Sequence, residues 1–424
     1  MYISRVALQN TKGFEDAELD FNRVGGGHAG WSVITGDNGS GKSALLRAIA
    51  MALLGPDQVR GLVTDLRGWA RYGADRAVIS VEVRPDNAYD KTLKGGYPSN
   101  SFWAEVGIEE ASATWVMNPA DRFRNKKKGA SNGPWPEATP GWFMVGYGPF
   151  RRLSGSSPEA QRMMVLPGRI PRFVTLFKED ATLAEGEEWV KTLQYRTLEK
   201  KEQDSATLES VLSLLRDEFL RDEIQIDGVD SEGVWLRDSA DHRIPLSDMS
   251  EGYRSALAMM LDILRHMVQA YGAQIVAQAD DGRTIVNRPG VVLIDEVDAH
   301  LHPDWQRTIG FWLTQHFPLV QFIVTTHSPL VCQAADGGRI YHLPQPGNGR
   351  PFRLSSKDFD AVIAGKPDEI LLTPAFDLKY TRSPVAVQKR QRHSLLFAKR
   401  LSGQGLTAEE RVEIEQLAMF ADEP

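Results

Sequence analysis

A chain of 424 residues can bury a large core, and a scale of about 150 residues per domain suggests two or three lobes. Charged residues make up 25%, and no apolar run approaches the roughly 18 residues that cross a bilayer, which argues against a membrane-spanning protein and a membrane partner. The net charge of −7 argues against a surface that is basic throughout, although a local patch can still bind nucleic acid. The single cysteine, Cys332, leaves no internal disulfide. The opening Met1-Tyr-Ile-Ser-Arg-Val-Ala-Leu8 has the pattern of a strand and not of a signal peptide, so the expected compartment is the cytoplasm.

Residues 1 to about 85 read as strand, turn, strand, loop, helix and a further strand. An apolar run, Trp31-Ser-Val-Ile-Thr35, then enters Gly36-Asp-Asn-Gly-Ser-Gly-Lys-Ser43, and a helical stretch follows at Ala44–Leu54. Strand, G-x-x-x-x-G-K-S loop and helix in this order make a phosphate-binding loop. Its glycines let the backbone curl so that successive N–H groups face a triphosphate, and the helix N-terminus adds partial positive charge. The expected contact set is Gly36, Asn38, Gly39, Ser40, Gly41, Lys42, Ser43 and Ala44; Lys42 would reach the β- and γ-phosphates, and the Ser43 hydroxyl would ligate Mg²⁺.

Ala77–Val83 reads as a further strand. Residues 86–141 are rich in Gly, Pro, Asn and Ser, with strand-like pieces at Phe102–Ile108 and Ala113–Val116, and predict an antiparallel accessory sheet. The basic tip Arg122-Phe-Arg-Asn-Lys-Lys-Lys128 is open to two readings, a phosphate contact or a solvated loop. Trp142–Tyr147 reads as a core strand ending in Gly148-Pro-Phe-Arg-Arg152. Residues 180–222 favour helix, with Leu208, Val211, Leu212, Leu215 and Phe219 on one face, and form a lobe too short for a long coiled-coil arm. Hairpin-like alternation occupies Ile224–Arg243, and a long helix starts near Ser250.

The run Gly290-Val-Val-Leu-Ile-Asp-Glu296 reads as a buried strand ending in two acids. Asp295 would hold Mg²⁺ through water, and Glu296 would orient or deprotonate the water that attacks a γ-phosphate. A helix near Trp305–His316 and a strand at Gln321–Thr325 follow. In the tail, Ser383-Pro384 marks a helix start, Gly403 a stop, and Thr407-x-x-Glu410 a capping box. Residues 384–404 hold five Lys or Arg and no acid, a basic helix for a partner or nucleic acid, or a solvated face.

Taken in order, the phosphate loop, Leu246-Ser-Asp-Met-Ser-Glu-Gly-Tyr-Arg-Ser255, Asp295-Glu-Val-Asp-Ala-His-Leu-His-Pro303 and Thr325-Thr-His-Ser-Pro329 resemble the motif series of ATP-binding-cassette ATPases, in the branch of RecF, SMC and OLD-type proteins. The opening Leu8-Gln-Asn-Thr-Lys-Gly-Phe-Glu-Asp16 is similar to the start of that branch. The resemblance implies an α/β P-loop fold of ABC type, with a mixed central sheet, an antiparallel accessory sheet, a short helical lobe and a helical C-terminal tail. It also implies a homodimer, or a higher even oligomer, that sandwiches ATP between the phosphate loop of one copy and Ser250-Gly252 of the other. In that arrangement His327 senses the γ-phosphate and Asp298 communicates across the interface. The corresponding division of the chain is 1–150 and 286–350 for the ATPase lobe, 151–285 for the helical lobe and 351–424 for the extension.

One position departs from the pattern. Where the family has a glutamine that ligates Mg²⁺ and water, this chain reads Tyr147-Gly-Pro-Phe-Arg-Arg152, which implies slow hydrolysis, coupling through Arg151 or Arg152, or a purely structural corner. A narrower resemblance, carried by the same Tyr147–Arg152 segment, the short helical lobe, Leu371-Leu-Thr-Pro-Ala-Phe-Asp377 and Thr381-Arg-Ser-Pro384, is to PtuA-type defence ATPases of Septu and retron systems. It implies an ATPase that regulates a separate effector such as an HNH-type nuclease or a toxin, with nucleic acid or a reverse transcriptase as a further partner. The alternative is a RecF- or SMC-like ATPase that clamps DNA in repair. No intrinsic nuclease is expected, because the segment 328–424 is short for such a domain and Asp358-Phe-Asp360 is an isolated acid pair.

Overall fold

The computed structural model describes residues 1–23, 26–111, 114–122, 129–221, 223–335 and 339–420. Ala113 and the expected basic tip at 123–128 lie outside the described residues. In chain order the strands are β1 (Tyr2–Thr11), β2 (Phe14–Asp20), β3 (Gly30–Gly36), β4 (Arg76–Arg84), β5 (Phe102–Ala111), β6 (Thr114–Pro119), β7 (Met144–Tyr147), β8 (Gln225–Val229), β9 (Val234–Arg237), β10 (Arg243–Pro245), β11 (Val276–Gln278), β12 (Thr284–Val286), β13 (Gly290–Ile294), β14 (Val320–Thr325), β15 (Arg339–Leu343) and β16 (Phe352–Arg353). The central sheet runs β16-β15-β3-β14-β13-β7, with every neighbouring pair parallel except the β15–β16 edge. A second, antiparallel sheet runs β2-β1-β4-β5-β6. This is an α/β architecture with a mixed central sheet and a separate antiparallel sheet, as the sequence leads one to expect, and β3, the strand that enters the Gly36–Ser43 loop, lies between β14 and β15, as befits a strand buried on both faces.

Gln321, fully buried on β14, ties the two sheets together. Its Oε1 accepts the Ile3 N–H at 2.7 Å and its Nε2 donates to the Ile3 carbonyl at 2.8 Å, where the β1–β4 register shifts between Ile3 and Arg5. A side-chain amide thus satisfies both backbone groups at an irregularity that would otherwise leave them unpaired in the core.

The helix α1 (Lys42–Leu62) packs against β3, β4 and β5 and is buried on nearly all sides, from Leu45 through Val59. It is longer than the sequence reading of Ala44–Leu54, because two helical pieces join across a kink at Gly55, whose φ is 77°. Pro56 has no N–H to give the Ala52 carbonyl, so the Trp135 indole takes its place and donates to that oxygen at 2.8 Å. A Cβ at Gly55 would lie 2.6 Å from the same indole, which is why this kink needs glycine.

The helical lobe holds Ala184–Leu198 and Glu202–Arg216, separated at Lys200 in the left-handed region, and these pack with the long helix Glu251–Tyr271. The expected face at Leu208, Val211, Leu212 and Leu215 is buried. Phe219 is buried too, but beyond the helix end, where its ring sits 4.7 Å from that of Trp312. The core strand expected at Trp142–Tyr147 is shorter, since Trp142 is left-handed at φ 50° and only Met144–Tyr147 pair with β13. In the tail, Ser383 caps Pro384–Leu401 through the Ala386 N–H, and Thr407 and Glu410 form a reciprocal capping box. These two helices enclose a small core of their own, Leu396, Ile414 and Leu417, and the ion pairs Arg392–Glu413 and Lys399–Glu410 engage part of the basic helix. Among the described residues no helix is long and apolar enough to cross a membrane.

Candidate functional site

The end of β3 at Gly36 and the start of α1 at Lys42 hold residues 37–41 as a loop between them. Gly36, Gly39 and Gly41 all have positive φ (142°, 82° and 99°), conformations that few side chains tolerate. A Cβ at Gly36 would lie 2.4 Å from the Leu343 carbonyl, and one at Gly41 would lie 2.9 Å from the Phe14 ring, so the loop is fitted between β15 and the β1–β2 hairpin. Asn38 and Gly39 are exposed at the tip, and Gln345 donates to the Asn38 carbonyl at 2.8 Å. The Ser40 hydroxyl is buried without a hydrogen-bond partner. Lys42, Ser43 and Ala44 occupy the first helical turn, whose N–H groups have no intrahelical acceptor.

Lys42 folds back over the loop, and its Nζ donates to the carbonyls of Gly36 at 2.7 Å and Asp37 at 3.0 Å. Burial lowers its pKa, while the carboxylates of Asp295, Glu296, Asp37 and Asp298 act in the opposite direction. The ammonium therefore sits in the field of the acids that follow β13, although 250 residues separate the two motifs in sequence. This is a short approach in space enforced by the β3-β14-β13 strand order.

β13 ends at Ile294, one residue before the acids. Asp295, only 1% exposed, continues toward β7 through its N–H to the Tyr147 carbonyl at 2.8 Å. Its Oδ1 accepts from the Thr325 hydroxyl at 2.6 Å, and its Oδ2 is buried with no hydrogen-bond partner among the described residues. An unpartnered, buried carboxylate oxygen fits a cation ligand, and Ser43 and Asp295 are the residues that would hold Mg²⁺. Glu296 is half-buried and left-handed at φ 46°, and its N–H donates to Thr325 Oγ1 at 2.7 Å.

In the segment Tyr147–Arg152, where the glutamine is missing, an arginine contacts the acids' backbone. Arg151 is 3% exposed, and its guanidinium donates to the carbonyls of Gly148 and Asp295 at 2.9 Å and of Glu296 at 3.1 Å. Burial pushes its pKa down to about 10, opposed by Asp295, Asp298 and Glu296, so it stays charged at neutral pH. Arg152 is exposed and lies over the Phe150 ring.

The remaining sequence-derived residues lie along the same edge of the sheet. Asp298 accepts from the Thr326 hydroxyl, which also receives the Ser328 N–H at 2.9 Å. His327 is exposed between them. Ser250 precedes the helix Glu251–Tyr271, but its exposed hydroxyl makes no capping bond, which leaves it for an incoming group. Gly252 is buried in the first turn, and a Cβ there would stand 2.5 Å from the His300 carbonyl, so the helix start rests on the loop after Asp298. Among the described residues no hydrogen bond joins Ser250 or Gly252 to the phosphate loop of the same chain. Asp358 of the isolated acid pair accepts from Ser355 Oγ at 2.6 Å as part of a helix cap.

Sequence reasoning missed Thr325, Thr326 and the buried pair Tyr147–Asp262, in which the Tyr147 hydroxyl donates to Asp262 at 2.9 Å and so links β7 to the Glu251–Tyr271 helix. The available signal for the threonines was their place at the end of an apolar strand. Nothing in the spacing pointed to Tyr147 and Asp262.

A family described as "AAA domain, putative AbiEii toxin, Type IV TA system" matches residues 166–333, and one described as "AAA domain" matches residues 5–95. The Septu protein PtuA of Bacillus mycoides (strain KBAB4) is 26% identical over 340 residues, covering 80% of this chain and 40% of that protein. The Retron Ec83 probable ATPase of Escherichia coli is 38% identical over 105 residues, 25% of this chain and 17% of that protein. The chain is similar to Septu PtuA over most of its length and to a retron probable ATPase over a shorter stretch. The matched region thus spans less than half the length of either relative. Among solved structures, the SMC head domain from Thermotoga maritima aligns with a TM-score of 0.41 at 14% identity, covering 84% of this chain and 100% of that chain.

Proposed function

We propose that this chain is a Mg²⁺-dependent ATPase that dimerises around ATP and thereby regulates a partner effector in bacterial anti-phage defence. The observation that carries the nucleotide part is the strand order β3-β14-β13, which brings the Lys42 loop and the Asp295–Glu296 turn to the same edge of the sheet, with a buried Asp295 oxygen that has no hydrogen-bond partner among the described residues. The N–H groups of residues 39–44 would bind the phosphates, and Lys42 would turn from the Gly36 and Asp37 carbonyls to the β- and γ-phosphates. A cavity of about 480 Å³ beside Ser43 and Ala44, lined by Lys12, Arg47, Asp65 and Trp69 among others, has room for the nucleoside. Mg²⁺ held by Ser43 and Asp295 would neutralise charge on the phosphate oxygens. Glu296 would take the proton of the attacking water, and His327 would hydrogen-bond the γ-phosphate.

The free Ser250 hydroxyl and its helix N-terminus supply an anion site that the phosphate loop of the same chain does not use, which supports a second copy as its occupant. Hydrolysis would remove the bridging γ-phosphate and shift the pair toward its open state. The defence role, and an HNH-type nuclease, reverse transcriptase or nucleic acid as partner, rest on the similarity to PtuA and the retron ATPase. The test is the mass of the native complex, with and without ATP. An even number of these chains with a nuclease or toxin supports the reading. A monomer that pairs only with ATP and then retains DNA in a salt-sensitive way supports a DNA-clamping ATPase in its place.

A further inference from the structure

The segment Tyr147-Gly-Pro-Phe-Arg151 is a packed corner: a Cβ at Gly148 would stand 2.2 Å from the Thr175 carbonyl. From this corner Arg151 reaches across to the turn after β13 and binds the carbonyls of both Asp295 and Glu296, together with that of Gly148. Glu296 holds a left-handed backbone at φ 46°, uncommon for a residue with a side chain and maintained only where surrounding contacts fix it. The backbone holds it in part, through the Ala299 N–H to the Glu296 carbonyl at 2.9 Å and the Val297 N–H to the Thr325 carbonyl at 3.0 Å. Two side chains add to this: Thr325 Oγ1 takes the Glu296 N–H, and Arg151 takes the carbonyls of Asp295 and Glu296.

We propose that Arg151 is a positioning residue that fixes the Asp295–Glu296 turn, and through it the directions of the two carboxylates; this rests on the ATPase reading. The residue type fits the task. A guanidinium has five donors in a planar fork and no acceptor, so it satisfies three carbonyls at once, whereas a glutamine amide has two donors and would present its own oxygen to the cluster. Arg151 touches the backbone of the acids and not the reacting atoms. Arg152, exposed over Phe150, has no such contact.

The experiment compares the full chain with Arg151→Met and Arg151→Lys. It measures kcat and KM for ATP, and the affinity for a non-hydrolysable ATP analogue in EDTA and in Mg²⁺. For Arg151→Met, affinity in EDTA stays at the wild-type value because the phosphate loop is untouched. The gain in affinity on adding Mg²⁺ is lost, and kcat falls roughly 10- to 100-fold, the usual effect of removing an outer partner of a metal site. Arg151→Lys recovers part of both. Wild-type kcat and Mg²⁺ gain in Arg151→Met overturn the proposal, and so does an equal loss of affinity with and without Mg²⁺. Should Arg151→Met not fold, Arg151→Lys decides by the same comparison. Absence of turnover in the wild-type chain counts against the ATPase reading alone, and the Mg²⁺ gain in binding still decides the role of Arg151.

Discussion

One hydroxyl joins two motifs that lie far apart in the chain: Thr325 Oγ1 donates to Asp295 Oδ1 at 2.6 Å and accepts the Glu296 N–H at 2.7 Å. Because β13 and β14 are parallel neighbours, the last residue of one strand serves the acids that follow the other. Thr325→Val keeps the shape and removes both bonds, leaving a buried carboxylate oxygen and an N–H unpaired. The expected cost is about 1–3 kcal/mol of stability, read by urea unfolding. The Mg²⁺ concentration needed for tight nucleotide binding rises roughly 10- to 100-fold. Thr325→Ser restores most of the loss, and an unchanged Mg²⁺ titration in the valine variant counts against this role.

Lys42 and Glu296 separate binding from turnover. Lys42→Ala removes the ammonium that folds back over the loop and is expected to abolish ATP binding. Glu296→Gln binds ATP without consuming it and accumulates as a closed dimer, seen as ATP-dependent doubling of mass in sedimentation. Equal behaviour of the two variants counts against an ATP-sandwiched dimer.

Gly252 tests the second half-site. Its position leaves no space for a side chain against the His300 carbonyl. Gly252→Val forces the helix start away from that loop, an overpacking worth about 1–3 kcal/mol. Nucleotide binding to the monomer persists, while ATP-dependent association is lost. Retained association in the valine variant shows that this surface is not the one that closes.

His266 gives the fold a dependence on pH. It is buried on the Glu251–Tyr271 helix beside Asp262, Arg265 and Arg172, and desolvation drives its pKa down to about 4. Arg265 donates to its Nε2 at 3.1 Å, so Nε2 accepts and Nδ1–H donates to Gln269 at 3.0 Å in the neutral ring. The folded pKa lies below the ordinary value of 6.5, and the unfolded chain takes up the proton first. Stability is therefore complete above about pH 6.5 and falls as pH drops toward 4, by at most about 3 kcal/mol. His266→Gln flattens this part of the profile in urea unfolding between pH 4 and 7. A profile that keeps its slope assigns the effect to other groups.

The backbone path of the candidate phosphate loop was legible because it is local. Gly36–Ser43 encodes its own backbone path through glycines at fixed spacing, and the apolar run before Asp295 announces a buried strand whatever surrounds it. The tail helices were legible for the same reason, since Ser383, Pro384, Thr407 and Glu410 act within one turn of themselves. Tertiary structure alone decided the pairings between distant segments. The sequence leaves Arg151 open between a coupling residue and a structural corner, until the corner at Gly148 turns it onto the Asp295 and Glu296 carbonyls. Trp135 meets the Ala52 carbonyl, which Pro56 leaves without a donor, only through the fold. In each case a buried polar group needed a partner, and the strand order, not the neighbouring sequence, determined which residue could reach it.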